Sequence, residues 1–234
     1  MLKKRSQEKE LIDLGAEYYT HDEYIQCLKK LFFINKFLGF FRSTVNILKK
    51  FSPHSTLLDV GCGDGLFILN LSQSFPLMKM QGIDISQTAI DEAQQTLNTW
   101  KKTKPNLPVC FRWRPSDQLD IAENSFDIIL LTLVCHHLQD DDLVVFLRQI
   151  HAAAGQAVII NDLHRHRLSY ILYKFLSPLL LKNRLIIHDG LVSIRRGFIR
   201  SEWKLLLNKA GIKHYQLKWR LPFRWQLILT KPGL

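Results

Sequence analysis

Apolar positions change period several times along the chain, and each change marks an element. Between Tyr24 and Phe41 the residues Ile25, Leu28, Leu31, Phe32, Leu38 and Phe41 recur at helical spacing, and Val45, Ile47 and Leu48 continue it beyond Gly39. This predicts two or three helices within residues 7–51. Pro53 and Ser55 introduce a new pattern: Leu57-Leu58-Asp59-Val60 is the short apolar run of a strand buried in a parallel sheet. Leu66–Phe75 follows as a helix closed by Pro76, and Lys79–Asp84 as the next strand. Ser86 is a natural N-cap for a helix over Gln87–Thr99. Leu107–Trp113 and Ser125–Leu131 read as the third and fourth strands. Asp140–Ala154, with Leu143, Val144, Phe146, Leu147 and Ile150 on one side, is an amphipathic helix leading to a fifth strand at Ala157–Ile160. Phe198–Ala210 is a late helix ended by Gly211. Ile212–Trp219 and Arg224–Thr230 form a closing strand pair turned at Leu221-Pro222-Phe223. Strands alternating with helices predict an α/β fold on a parallel sheet.

One apolar stretch needs a separate test. Leu168–Ile187 is rich in Leu, Ile, Tyr and Phe, but Lys174, Pro178, Lys182 and Arg184 interrupt it. A membrane span needs about 20 predominantly apolar residues, and cations at these depths argue against spanning. The stretch is expected to form a lid, with shallow bilayer contact as the alternative because lysine stems can snorkel.

The chemistry concentrates where the first strand ends. Asp59-Val60-Gly61-Cys62-Gly63-Asp64-Gly65 joins an acid to glycines at every second position, between a strand and a helix. Such a turn lets backbone lie close to a ligand at the carboxyl edge of an open sheet. N–H groups at the next helix start are then expected to meet an anionic group. The spacing is not the Gly-x-Gly-x-x-Gly of dinucleotide sites. A second acid, Asp84, ends the second strand, where a carboxylate can accept from both hydroxyls of a ribose.

These two motifs resemble those of class I S-adenosylmethionine (SAM) methyltransferases, over roughly residues 55–160. The resemblance implies a Rossmann-like, seven-stranded sheet whose last strand is antiparallel, and SAM as cofactor. It places Asp59 near the methionine end and wraps the turn of Gly61, Cys62, Gly63 and Gly65 around the amino acid and ribose. Asp84 then takes the ribose, Ile85 packs on the adenine, and Leu131 joins the cofactor set. The family's adenine-contacting acid follows the third strand. Here Arg114-Pro115-Ser116-Asp117 departs from the usual wording, leaving Asp117, and Ser116 through its backbone N–H, as candidates. A finer resemblance rests on Glu10-Leu11-Ile12-Asp13, Cys27-Leu28, Asn35, Asp162–Arg165, His188-Asp189-Gly190 and Phe223-Arg224-Trp225. These look like a bacterial subgroup associated with type III polyketide synthases, which implies a phenolic, polyketide or quinone-like lipid acceptor.

Thr132–Leu138 leaves the fourth strand at the edge that would face the transferable methyl, and it carries His136 and His137. A histidine there can take an acceptor's hydroxyl proton, its ordinary pKa lying near 6.5. His136 is expected to be the general base and His137 its support; a purely structural pair is the alternative. His164, Arg165, His188 and Arg195 are the candidate acceptor-binding residues. No ligand spacing supports a metal site from His164 and His188, and no metal is expected.

Composition narrows the partners. With 234 residues, 47% hydrophobic and 23% charged, the chain has the balance of a soluble globular protein. It divides into a helical cap at 1–54 and a catalytic domain at 55–234 with the lid at about 164–197. Cys27, Cys62, Cys110 and Cys135 are scattered, as reduced thiols of a cytoplasmic protein would be. The basic start is followed by charged residues 7–10 where a signal peptide needs an apolar run. The net charge of +11 is uneven: residues 161–234 carry 15 Lys and Arg against three Asp and Glu. That excess suits a polyanionic partner such as a nucleic acid, a membrane surface or an acidic substrate, with a merely solvated basic face as the alternative; no appended RNA-binding motif is visible. The expected activity is methyl transfer to a hydroxyl, or second to a carbon, of a small apolar acceptor. An RNA methyltransferase and a non-catalytic SAM-binding protein are the alternatives.

Overall fold

The structure, a computed structural model, describes residues 2–115 and 121–231. Three helices come first: α1 (Leu11–Leu14), α2 (His21–Phe37) and α3 (Phe40–Leu48). Alternating units follow: β1 (Thr56–Val60), α4 (Leu66–Ser74), β2 (Lys79–Asp84), α5 (Gln87–Lys101), β3 (Val109–Trp113) and β4 (Phe126–Thr132). A one-turn 3₁₀ segment, Cys135–His137, leads to α6 (Asp140–Ala153) and β5 (Ala154–Leu163). Then come α7 (Arg167–Leu180), α8 (Arg184–Arg196), α9 (Arg200–Lys209), β6 (Tyr215–Arg220) and β7 (Arg224–Thr230).

The seven strands lie in the order β3-β2-β1-β4-β5-β7-β6. β1 to β5 run parallel, and β7 inserts antiparallel between β5 and β6. This is the class I, Rossmann-like sheet that the motifs implied. The period-2 alternation of strand side chains builds two cores. Leu58, Val60, Ile129 and Leu131 face one side, where Leu143, Leu147, Trp203 and Leu207 of α6 and α9 cover them. Leu57, Ile128, Leu130 and Ile159 face the other, against α3, α4 and α5. A third cluster joins Tyr24, Ile25 and Cys27 of α2 to Leu185 and Ile186 of α8.

Two expectations are corrected here. The fifth strand runs to Leu163 rather than stopping at Ile160, because its polar residues are paired inside the sheet. Asn161 Nδ2 donates to Thr44 Oγ1 at 3.0 Å, Asn161 Oδ1 accepts from Gln226 Nε2 at 3.2 Å, and the whole segment pairs with β7. Residues 164–197 form α7 and α8, and α8 packs behind α1, α2 and the 3₁₀ turn rather than over the cavity described next. No helix among the described residues is long and apolar enough to cross a membrane.

Candidate active site

Strand order reverses around β1 and β4, and an open sheet leaves its crevice at such a point. A cavity of about 680 Å³ lies there. Its floor is Asp59, Val60 and the glycine turn after β1, Asp84–Ser86 after β2, and Thr132–Val134 after β4. Its other walls are Ile12–Ala16, Tyr19, and Tyr24, Leu28, Leu31, Phe32 and Asn35 of α2. The N-terminal segment therefore covers the site.

The turn has the geometry its sequence requires. Gly61 and Gly65 have φ of 72° and 71°, in the left-handed region. A Cβ at Gly65 would stand 2.4 Å from Phe111, and one at Gly61 2.5 Å from Val134. The backbone donors are spent differently from expectation. Gly61 N and Cys62 N both donate to Ile83 O, Gly63 N donates to Asp84 Oδ2 at 2.8 Å, and Gly65 N donates to Cys62 O. The first three bonds lock the turn onto β2, so these N–H groups are spent on protein acceptors.

The acids are what remains open. Asp59 is buried, and its Oδ1 has no hydrogen-bond partner. Burial and the nearby Asp84 push its carboxyl up to about 8. Asp84 is also raised by burial, against donation from Ser86 N and Gly63 N. Those two bonds leave the carboxylate with acceptor capacity for hydroxyls. Asp64 Oδ2 and Asn35 Oδ1 are two more buried acceptors of the cavity wall without a partner. Unpaired buried acceptors are costly, so this cavity is complementary to a ligand rich in donors and bearing positive charge. Ile85, two-thirds exposed, offers a bare apolar surface beside Asp84. Cys62 lines the same wall. Leu131 does not; it is fully buried in the core under α6 and α9. Ser116 and Asp117 lie outside the described residues, and Arg114 is the cavity residue nearest to them in sequence.

The two adjacent histidines are placed differently. His136 is buried and absent from the cavity wall. Its Nδ1 lies 2.8 Å from Asp162 Oδ1 and its Nε2 3.5 Å from Glu10 Oε1. Burial alone would lower its pKa, but Asp162 and Glu10 outweigh it and raise the imidazole to about 9. A protonated ring has no lone pair to act as a base. His137 does line the cavity, and its Nδ1 lies 2.9 Å from Asp13 Oδ1. With Nδ1–H donated to Asp13, the free lone pair is on Nε2. Glu10 Oε2 lies 4.0 Å from that nitrogen. Asp13 feels burial pushing it up, yet His137 and Arg196 hold it down at about 2.

Glu10, Asp13 and Asp162 are the site acids that sequence reasoning left without a role, although all three fell in quoted motifs. Glu10, His136 and His137 also bring one ligand atom each within 4.8 Å of one another, but the protonated His136 ring has no lone pair for a cation.

Arg196 holds the arrangement from behind. Its Nε donates to His136 O at 2.8 Å, its Nη2 donates to His137 O, and its Nη1 reaches Asp13 Oδ2 at 2.9 Å and Glu8 O at 3.2 Å. Asp189, also on α8, accepts from Leu11 N and Ile12 N at 2.8 and 3.1 Å. The four expected acceptor-binding residues are all off the cavity. Arg165 is buried in an ion pair with Glu202 of α9. His164 Nδ1 accepts from Trp219 Nε1, and burial beside His166 and Arg165 depresses it to about 4. His188 pairs with Asp189, and Arg195 with Glu8. They fasten the chain instead of lining the site.

Known proteins share this framework. A family model described as a methyltransferase domain matches residues 58–157. An uncharacterized methyltransferase of Schizosaccharomyces pombe is 34% identical over 97 residues, covering 40% of this chain and 34% of that protein. A ubiquinone biosynthesis O-methyltransferase of Hydrogenovibrio crunogenus is 24% identical over 212 residues, covering 81% and 82%. The first two curated relatives are thus matched over only 34% and 39% of their own length. The crystal structure of magnesium protoporphyrin IX methyltransferase from Synechocystis with bound SAM superposes with a TM-score of 0.60 at 15% identity, covering 97% of this chain and 99% of that one. Residues 58–157 thus match a methyltransferase domain, and the chain has the class I methyltransferase fold.

Proposed function

We propose that the protein binds SAM in this cavity and transfers its methyl group to a hydroxyl of a small apolar acceptor. The observation that carries the proposal is Asp59 Oδ1, a buried, partnerless carboxylate oxygen in a cavity shared with Asp84. The residues present fit the cofactor: its ammonium supplies the donor and positive charge that Asp59 lacks, its ribose the hydroxyls for Asp84, and its adenine the flat surface for Ile85. SAM, when bound, supplies a methyl carbon on a sulfonium.

The acceptor class follows from the remaining wall. Ile12, Leu14, Tyr19, Leu28, Leu31, Phe32 and Leu138 favour an apolar body, such as a phenol, polyketide or quinone-like lipid. The similarity to a ubiquinone biosynthesis O-methyltransferase over most of both chains supports that class. An RNA acceptor is disfavoured, because such a lining offers few groups to a sugar–phosphate chain. His137 Nε2 would take the acceptor's hydroxyl proton, and SAM, when bound, would supply the methyl group to that oxygen and leave as S-adenosylhomocysteine. Asp13 keeps the ring in the tautomer this needs, and Glu10 stabilises the imidazolium that results. Closure by α1 and α2 excludes water and fixes the acceptor, where positioning has access to effective molarities of order 10⁵–10⁸ M.

Calorimetry tests the cofactor half. SAM should bind one per chain, S-adenosylhomocysteine should compete, and Asp84→Ala should weaken both by about 1–3 kcal/mol through unpaired hydroxyls. Binding of NADH without SAM overturns the proposal. SAM binding with no turnover on a panel of phenols and quinols would leave a non-catalytic SAM-binding protein.

A further inference from the structure

A surface helix normally turns its apolar stripe to the core. α7 does the reverse. Leu168, Ile171, Leu172, Phe175, Leu176, Leu179 and Leu180 follow the three- and four-residue spacing of one helical face, and each is 44–74% exposed. Its only buried residue is Ser177. The helix is fastened by its polar side: Tyr173 Oη donates to Ile186 O at 2.6 Å and stands over Gly190, where a Cβ would meet it at 2.2 Å. Seven apolar side chains are therefore held outward by specific contacts on the opposite side.

Neighbouring elements add to this surface. Lys30 of α2 donates to Leu181 O at the C-terminal end of α7. Phe33 and Phe37, three and seven residues further along α2, are 63% and 89% exposed. At the other end, His166, the N-cap of α7, stacks on Phe223 at 4.9 Å, beside the exposed Trp219 and Leu221 of the β6–β7 hairpin.

The charge around it has one sign. Residues 163–188 contain no Asp or Glu and five Lys and Arg. Arg165 and Arg184 are paired with Glu202 and Glu23. Among the described residues, no ion pair reaches Arg167, Lys174, Lys182 or Lys218.

We propose that the outward stripe of α7 docks the protein in the plane of an anionic lipid surface. A stripe of aliphatic side chains with cations beside it is the pattern that lies at a headgroup–acyl boundary. The helix cannot cross: 14 residues span about 21 Å, against about 30 Å of hydrocarbon. A second copy of the chain is the poorer occupant, because a two-fold contact sets each face against itself and brings like charges together. RNA would meet the cations but leave six aliphatic side chains in water. α2 connects this face to the cavity, since Leu28, Leu31 and Phe32 line the cavity and Phe33 and Phe37 face out. Docking would bring a lipid-borne acceptor to the side of the molecule where α2, which lines the cavity, is held to α7 through Lys30 and Leu181, a consequence that rests on the acceptor class proposed above.

The full chain is tested by sedimentation with vesicles of phosphatidylcholine alone or mixed with phosphatidylglycerol. Arg167, Lys174 and Lys182, on or beside α7 and each contributing about fivefold, should favour the mixed vesicles by about a hundredfold. Phe175→Ser combined with Leu179→Ser should lower binding to the mixed vesicles at least tenfold. Lys174→Glu combined with Lys182→Glu should remove the anionic preference. SAM calorimetry on the same variants should be unchanged, so the docking proposal and the cofactor proposal fail separately. Equal partitioning to both vesicle types, or none, overturns the docking proposal. A dimer that dissolves on Phe175→Ser/Leu179→Ser, without vesicle binding, assigns the face to a second copy. RNA binding indifferent to those serines, without vesicle binding, also overturns it.

Discussion

The two walls of the cavity are assembled in different ways. The cofactor wall comes from Asp59 to Ser86, fewer than thirty consecutive residues, and its turn is bonded to its own neighbouring strand through Gly61, Cys62 and Gly63. The acceptor wall draws Asp13 and Tyr19 from the N-terminal segment, His137 from the β4 exit, and their fastening from Arg196 and Asp189 of α8. Asp13 and Arg196 are 183 residues apart, yet their side chains lie 2.9 Å apart. A wall made of local sequence has its geometry dictated by short-range chemistry. A wall made of distant segments has its geometry dictated by which ion pairs close.

That contrast predicts that chemistry and cofactor binding separate cleanly. His137→Ala should lower kcat by about 10²–10⁴-fold, the usual size of a general-base contribution. SAM affinity should stay within a few tenths of a kcal/mol. The loss should shrink for acidic phenols and at high pH, where the acceptor ionises unaided. His136→Ala should act mainly on stability and KM, because its ring is shut between Asp162 and Glu10. A kcat loss confined to His136→Ala would restore the opposite order.

The next effect tests whether α8 governs only the acceptor wall. Arg196 is buried and contacts both histidine carbonyls and Asp13. Arg196→Met should cost about 3–5 kcal/mol in urea unfolding, since it leaves Asp13 and two carbonyls without their donor. At temperatures where the variant remains folded, acceptor KM should rise more than SAM Kd. An equal change in both would mean that the two walls are one cooperative unit.

This division also explains what the sequence disclosed. The strand–helix alternation, the N-terminal helices and the glycine turn were legible because hydrophobic period and glycine spacing are local signals, whereas the seven-stranded sheet with its antiparallel last strand was implied by the family resemblance. Asp59, Cys62, Asp84 and Ile85 fall on the cavity wall as the motifs implied. His164, Arg165, His188 and Arg195 were read as acceptor contacts because they are polar and follow sheet edges. Each instead meets a partner that sequence distance concealed: Trp219, Glu202, Asp189 and Glu8. The different settings of His136 and His137 were hidden for a related reason. Adjacent histidines are equivalent in sequence, and what divides them is a pair of carboxylates, Asp162 and Asp13, on opposite sides of the 3₁₀ turn. Asp162 itself was read as loop, because a polar residue inside a buried strand imitates a strand end.

The smallest effect, read per pH unit, probes that pair of carboxylates directly. His136 has a folded pKa of about 9, above its ordinary 6.5, because Asp162 and Glu10 outweigh the cost of burying its charge. A raised pKa means that the folded state holds the proton more tightly. Its contribution to stability is therefore complete below about pH 6.5 and is lost as pH rises through 9. Across that window stability should fall by on the order of 1 kcal/mol per pH unit. Glu10 and Asp162 are depressed below ordinary carboxylates, Glu10 by His137 and His136 and Asp162 by His136, in both cases against burial. Their contribution is present above the ordinary carboxylate pKa and is lost as pH falls through their folded values, so the acid limb should be separate from the alkaline one. Urea midpoints measured between pH 6 and 10 should show the alkaline slope in the wild type and lose it in His136→Gln, which keeps a polar side chain but cannot titrate. SAM affinity over the same range should not follow this slope, because His136 does not touch the cavity. An alkaline slope that persists in His136→Gln would place the titrating group elsewhere and overturn the buried imidazolium at His136.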